Sequence, residues 1–232
     1  MSYINNFAFF WVGADIKIPS YLTKSINYSY KNNVNIFMLT DKKTPHVDGV
    51  TKTIRSLLPK DIMLARLKAY SELKIDDQVI FLDADSLVLN KFKKFSVNKS
   101  LILFRREKNG LIINHNYPEH YPEFIGKTLE EMMPFLFGAI VTTRKNAFQN
   151  FLTILEHCKG LPDRFHRWYG DQYALKLVLE KNLIQFAEEN FNDYIDIIST
   201  ENDLDNLNKN IVTFKGPSSK HLIYEVFNKE IK

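Results

Sequence analysis

Cysteine is nearly absent from this chain of 232 residues, with Cys158 its single example. One thiol builds neither a disulfide framework nor a cysteine-type zinc site, and a reducing cytoplasm is the expected compartment. Long apolar runs are missing too. Nowhere do about 18 apolar residues follow one another, so no membrane-spanning helix is expected. The first apolar stretch, residues 7–13, is too short for the core of a secretory leader and has neither a basic segment before it nor a small-residue cleavage site after it; it reads as a first strand. There is no basic tract: the net charge is +4 and the lysines are spread, which gives nucleic acid no support as a partner. A mild positive balance suits a protein that handles phosphorylated small molecules, at the inner membrane face as a peripheral protein or free in the cytoplasm. Neither repeat nor low-complexity linker marks a boundary, and residues 1–232 are expected to form one domain.

What is present is a globular composition, 45% hydrophobic and 13% aromatic, in which apolar runs alternate with longer amphipathic segments. That alternation predicts an α/β fold. Strands are expected at residues 7–12, 34–39, 101–104, 135–142, 183–186 and 195–198, with a further apolar run at 211–216. Helices are expected at 19–30, 62–73, 145–158 and 170–181, the first with Pro19 in its opening turn. Residues 109–124 are polar and proline-bearing, and read as a long loop. Its His115, His120, Tyr117 and Tyr121 suit a ligand-binding lid or a solvated surface.

The most informative run is residues 78–88, a buried-strand pattern that stops abruptly at Asp83 and Asp85. Charged groups at the edge of a core call for a partner, and a Mg²⁺ or Mn²⁺ that also binds a pyrophosphate would supply one. The same residues also cap helices and close Asx turns, and Asp-x-Asp is short and common. In an open α/β sheet the strand ends at Trp11, Val12 and Gly13, at Thr40 and Asp41, and at the Asp83 strand should converge on one crevice. Arg66 stands one helical turn before Tyr70, either as a solvated cation or as a phosphate ligand.

Taken together, Arg66-Leu-Lys-Ala-Tyr70 and Val79-Ile-Phe-Leu-Asp-Ala-Asp85 resemble the nucleotide-sugar-dependent glycosyltransferases of the GT-A fold. The resemblance is to the glycogenin-like and bacterial polysaccharide members with a D-x-D motif. Phe9-Phe-Trp-Val-Gly13 resembles their first strand, and Phe137-Gly-Ala-Ile-Val-Thr-Thr143 the strand after the acceptor loop. Trp168-Tyr-Gly-Asp-Gln-Tyr173 resembles their Gly-Asp-Gln element, and residues 211–220 the loop that closes on the diphosphate. The resemblance implies a Rossmann-like α/β/α sandwich with a mixed central sheet. It implies Mn²⁺ or Mg²⁺ on Asp83 and Asp85, a nucleotide-diphosphate sugar as donor, and a glycan, lipid-linked or protein-bound acceptor. Trp11, Val12, Gly13, Arg66, Asp83, Ala84, Lys215, Gly216 and Lys220 would line the donor site, with Asp171 and Gln172 as catalytic candidates.

One departure stands out: the family's third metal ligand, a histidine, aligns with Thr213 here, and the loop lysine is displaced by one residue to Lys220. His221 is close in sequence but is assigned no ligand role. Asp171 carries its own alternative as a helix N-cap. Phe165, His166, Trp168 and Tyr169 suit either acceptor recognition or a core. Two other functions compete with glycosyl transfer. A haloacid-dehalogenase-type phosphatase also carries D-x-D at a strand end, but at its first strand. A non-catalytic relative would bind nucleotide sugar or glycan without turnover.

Overall fold

The computed structural model describes residues 2–96, 98–107, 121–143, 147–205, 207–216 and 219–231. His115, Tyr117, His120 and Lys145 lie outside them, as do Pro217 and Ser218 of the C-terminal loop. The chain divides into two compact units, one of Met1–Leu57, Asp77–Ser96 and Asn192–Lys232, the other of Leu58–Asp76 and Val97–Phe191.

The first unit is built on four parallel strands: β1 (Asn6–Phe10), β2 (Asn35–Thr40), β3 (Lys52–Arg55) and β4 (Val79–Leu82), in the order β3-β2-β1-β4. Every residue of β1 and β4 is buried, as expected of parallel strands covered on both faces. Helix α1 (Lys17–Tyr30) buries Leu22, Ile26 and Tyr30 at a spacing of four, and ends where Lys31 turns left-handed. The Tyr30 ring meets Phe7 edge-on at 5.1 Å, and its hydroxyl accepts the Phe92 N–H at 2.8 Å.

Residues 78–88 are not one strand. They break at Asp83 into β4 and β5 (Ser86–Val88), and β5 belongs to a second sheet. That sheet runs β5-β10-β9, with β9 (Ile195–Ile198) and β10 (Ile211–Phe214) parallel and β5 antiparallel to β10. Helix α7 (Leu222–Glu230) covers it, packing Leu222, Ile223, Val226 and Phe227 on Leu87, Ile198, Val212 and Phe214.

In the second unit β6 (Leu101–Arg105) lies between β7 (Phe135–Thr142), antiparallel, and β8 (Phe186–Asn190), parallel. The expected strand at 183–186 is thus shifted to Phe186–Asn190, because pairing with β6 selects the half-exposed Phe-Ala-Glu-Glu-Asn segment. Helices α2 (Ile62–Glu72), α4 (Ala147–Lys159) and α6 (Gly170–Glu180) pack together, with short α3 (Leu129–Met132) and α5 (Asp163–Arg167). Tyr121, Phe124 and Phe165 form an aromatic cluster in which Phe165 is fully buried, so its role is core. Among the described residues no helix is long and apolar enough to cross a membrane.

Candidate active site

The strand order places a topological switch point in the first unit. From β1 the chain moves outward to β2 and β3, then returns to the opposite flank of β1 as β4. A crevice opens outside the carboxyl ends of the two strands that flank such a point. Here those ends are Trp11-Val12-Gly13 after β1 and Asp83-Ala84-Asp85 after β4.

On the β1 side the backbone is tied down. Thr40 Oγ1 donates to Trp11 O at 2.6 Å, and Gly13 N–H donates to Thr44 Oγ1 at 3.0 Å. Asp41 anchors that loop: its Oδ1 accepts the Thr44 hydroxyl at 2.7 Å and N–H at 2.8 Å, which hold its carboxyl below the usual carboxylate range. Gly13 has φ +146°, a region that favours glycine, and the nearest atom to a Cβ built there is 3.9 Å away. The backbone at Gly13 therefore borders open space.

On the β4 side the chain passes through a turn at Ala84 and Asp85 directly into β5, so neither aspartate caps a helix. Ala84 is buried and the two aspartates are half-buried. Each meets a lysine from the loop after β10. Lys215 Nζ stands 3.3 Å from Asp83 Oδ2; Lys220 Nζ contacts Asp85 Oδ2 and donates to Phe214 O at 2.6 Å. Gly216 takes φ +84°, and buried Ser219 donates its hydroxyl to Lys215 O and Gly216 O at 2.9 and 3.0 Å. Ser219 therefore fixes the curl that presents both lysines; as a small polar residue in a polar loop it carried no signal in the sequence.

Asp85 Oδ1 is buried with no hydrogen-bond partner among the described residues. A buried carboxylate oxygen left so is costly, and a cation is the natural remedy. Thr213, which aligns with the family histidine in the resemblance, is buried opposite Ser86 in the β10–β5 ladder, within 3.3 Å of the Ser86 hydroxyl. Among the described residues no three His, Cys, Asp or Glu side chains gather as a metal cage. Two carboxylates are nevertheless the donor set on which Mg²⁺ and similar ions sit when substrate phosphates complete the shell. The residues present fit a divalent ion in that manner.

The second unit holds the other candidates. Asp171 is fully buried in the first turn of α6, and its Oδ1 accepts the Gln172 N–H at 2.7 Å. It is not the N-cap; that position falls to Tyr169, held at φ 64°. Its Oδ2 forms an ion pair with Arg66 Nη2. The Arg66 guanidinium lies over the Phe137 ring at 5.0 Å and is 15% exposed, which removes the solvated-cation reading. Gly170 is required: a Cβ there would lie 2.1 Å from Phe165 O and 2.9 Å from Cys158 Sγ. Beside this turn Trp168 is exposed, and His166 Nε2 bonds Cys158 O at 2.9 Å.

A residue that sequence reasoning missed is Arg106. Its Nη2 donates to Gln172 Oε1 at 3.2 Å and its Nε to Met133 O at 3.1 Å. Arg105 is the last residue of β6 and Arg106 follows it, and successive side chains of an extended chain leave on opposite sides. Arg105 goes to Glu188 at 2.5 and 2.6 Å and over the Phe135 ring, and Arg106 goes to Gln172.

No family model and no curated relative matches the chain. Solved structures do match over nearly its whole length. The galactosyltransferase LgtC, in complex with donor and acceptor sugar analogues, is 13% identical with a TM-score of 0.58, covering 98% of this chain and 96% of that one. The apo-form glycosyltransferase GlyE of Streptococcus pneumoniae TIGR4 is 14% identical with a TM-score of 0.63, covering 97% of this chain and 60% of that one. The bifunctional WbbM is 14% identical with a TM-score of 0.63 and is covered over 50% of its length. This chain therefore spans nearly all of LgtC but only part of GlyE and WbbM. The strand and helix arrangement shared with these three makes the chain an α/β protein of the GT-A fold.

Proposed function

We propose that the chain is a glycosyltransferase that moves a hexose-type sugar from a nucleotide-diphosphate sugar to a hydroxyl on a glycan, lipid-linked or protein-bound acceptor. The observation that carries this reading is the carboxylate pair at the switch point, each member facing a lysine, with one buried oxygen of Asp85 left without a hydrogen-bond partner. Two carboxylates and two ammonium groups sum to zero charge, so the cluster alone offers a diphosphate no net attraction. Asp83 and Asp85 would hold a divalent cation, and Lys215 and Lys220 would then be available to the phosphates. Such an ion, Mn²⁺ or Mg²⁺, would supply Lewis-acid stabilisation of the charge that grows on the leaving diphosphate.

The remaining roles follow from this chain's own groups. Trp11, Val12 and Gly13 would flank the nucleoside, with the open space at Gly13 letting it approach the backbone. Ala84, buried between the aspartates, and Gly216 let the chain approach the phosphates closely. Asp171, a carboxylate fixed in place by Gln172 N–H and by Arg66, and the adjacent amide of Gln172 are the candidates for work on the transferred sugar or its acceptor. Arg66 serves the site through Asp171.

The phosphatase alternative loses its footing because the aspartates follow β4, with β1, β2 and β3 before it in the chain. Turnover decides the matter. Wild-type protein should hydrolyse at least one sugar nucleotide slowly in the presence of Mn²⁺, and Asp85→Ala should abolish it, a loss of several kcal/mol at about 1.36 kcal/mol per tenfold in rate. Phosphate release from simple phosphomonoesters with no sugar-nucleotide binding would contradict the proposal, and binding without turnover would favour the non-catalytic relative.

A further inference from the structure

We infer that Arg106 is a positioning residue that fixes the side-chain amide of Gln172 with its oxygen withdrawn and its NH₂ group offered. Gln172 would then act on the sugar or its acceptor as a hydrogen-bond donor and not as a nucleophile. The inference rests on the transferase reading above and deepens it.

The amide orientation follows from chemistry. A guanidinium has only N–H donors, so the atom of Gln172 that faces Arg106 Nη2 at 3.2 Å has to be the carbonyl oxygen. The opposite flip would set N–H against N–H. A carbonyl oxygen bonded to a cation has its lone-pair density drawn away from any carbon it might attack. Gln172 Nε2 has no hydrogen-bond partner among the described residues, and its two N–H groups are left to seek an oxygen acceptor. A sugar carries such acceptors on every hydroxyl.

Arg106 is itself held from three directions. Its backbone N–H donates to Pro134 O at 2.9 Å, its Nε to Met133 O at 3.1 Å and its Nη2 to Gln172. Both the Arg106 backbone and its Nε are bonded to the segment just before β7, and the Nε bond orients the guanidinium toward Gln172. Gln172 is constrained from its other end, because its N–H is bonded to Asp171 Oδ1 at 2.7 Å. The amide is thus gripped at backbone and carbonyl and open only through its NH₂ group.

The test is a cycle of R106M, R106K, Q172A and R106M/Q172A, read by steady-state kinetics and by the side-chain amide signals of ¹⁵N-labelled protein. The Gln172 signal is assigned by its loss in Q172A. R106M should lower kcat by about 10- to 100-fold while the donor KM changes little, R106K should recover part of the loss, and R106M/Q172A should be no worse than Q172A alone. In the metal-free, ligand-free protein the Gln172 side-chain NH₂ should show a heteronuclear ¹⁵N NOE as high as that of the ordered backbone, and R106M should lower it to that of a freely moving side chain. Multiplicative losses in the double variant, or an unchanged kcat in R106M, would overturn the inference, as would amide signals indifferent to R106M. Because the amide arm needs no turnover, an inactive wild-type protein would count against the transferase reading alone, and the signals would still decide the role of Arg106.

Discussion

Arg66 and Asp171 form a buried ion pair, the carboxylate wholly inaccessible and the guanidinium stacked on Phe137. Truncating the cation would strand a buried charge, which typically costs about 3–5 kcal/mol, far more than the pair contributes against an apolar replacement. Arg66→Ala is therefore expected to lower the urea midpoint of unfolding sharply. The double change Arg66→Met with Asp171→Leu should recover much of that stability while leaving the protein inactive. Urea titrations followed by circular dichroism measure both, and an Arg66→Ala protein of ordinary stability would mean the pair is not formed.

Lys220 and Asp85 make a prediction of opposite sign for two ligands. With Lys220→Gln, the carboxylate loses its internal counter-ion, and Mn²⁺ alone should bind more tightly, by about 1 kcal/mol or roughly fivefold for a pair so partly exposed. The nucleotide diphosphate in saturating Mn²⁺ should bind less tightly, because a phosphate cation is gone. Titration calorimetry resolves the two; a variant in which both affinities fall would show that Lys220 does not compete with the ion.

Cys158 offers a check on the packing under the Asp171 turn. Burial pushes its thiol up to about 12, only partly opposed by the Arg66 charge. The thiolate is the reactive form, so native protein at pH 8 should be inert to a thiol-specific disulfide reagent and should release one equivalent only on unfolding. The sign for stability follows. The folded thiol has its proton held above the unfolded value of about 8.5, so this contribution is complete below that pH and is lost as pH rises toward 12. Rapid labelling of the native protein would contradict it.

Elements with strong apolar patterning were legible from the residues alone: β7 and β9 fall at the expected positions, and α1 and α2 at the expected period. Strand β3 was not, because Lys-Thr-Ile-Arg has no apolar run and is placed by its ladder with β2. Helix α7 was missed because nothing caps its start: His221 is already helical and makes no side-chain cap bond. At the site, Asp83 and Asp85 were readable as charges that end a buried strand, and the Lys215–Lys220 loop only through the family resemblance. The pairing of Arg66 with Asp171 was not, since two residues far apart in the chain carry no local pattern of their meeting. Arg106 was invisible for a different reason: two adjacent arginines at a strand end look alike in the sequence, and only the fold brings Met133 O and Gln172 to one of them.

The central claim, that Asp83 and Asp85 anchor a sugar nucleotide through a divalent ion, is met most directly by thermal unfolding of wild-type and Asp83→Ala/Asp85→Ala protein across a panel of sugar nucleotides with and without Mn²⁺. At about 100 times its dissociation constant a ligand of the native state stabilises it by about 2.7 kcal/mol. At least one sugar nucleotide should raise the wild-type melting temperature in Mn²⁺, with the rise much reduced when the metal is withheld and lost in the double variant. No rise with any member of the panel, or an equal rise in the variant, would contradict the account.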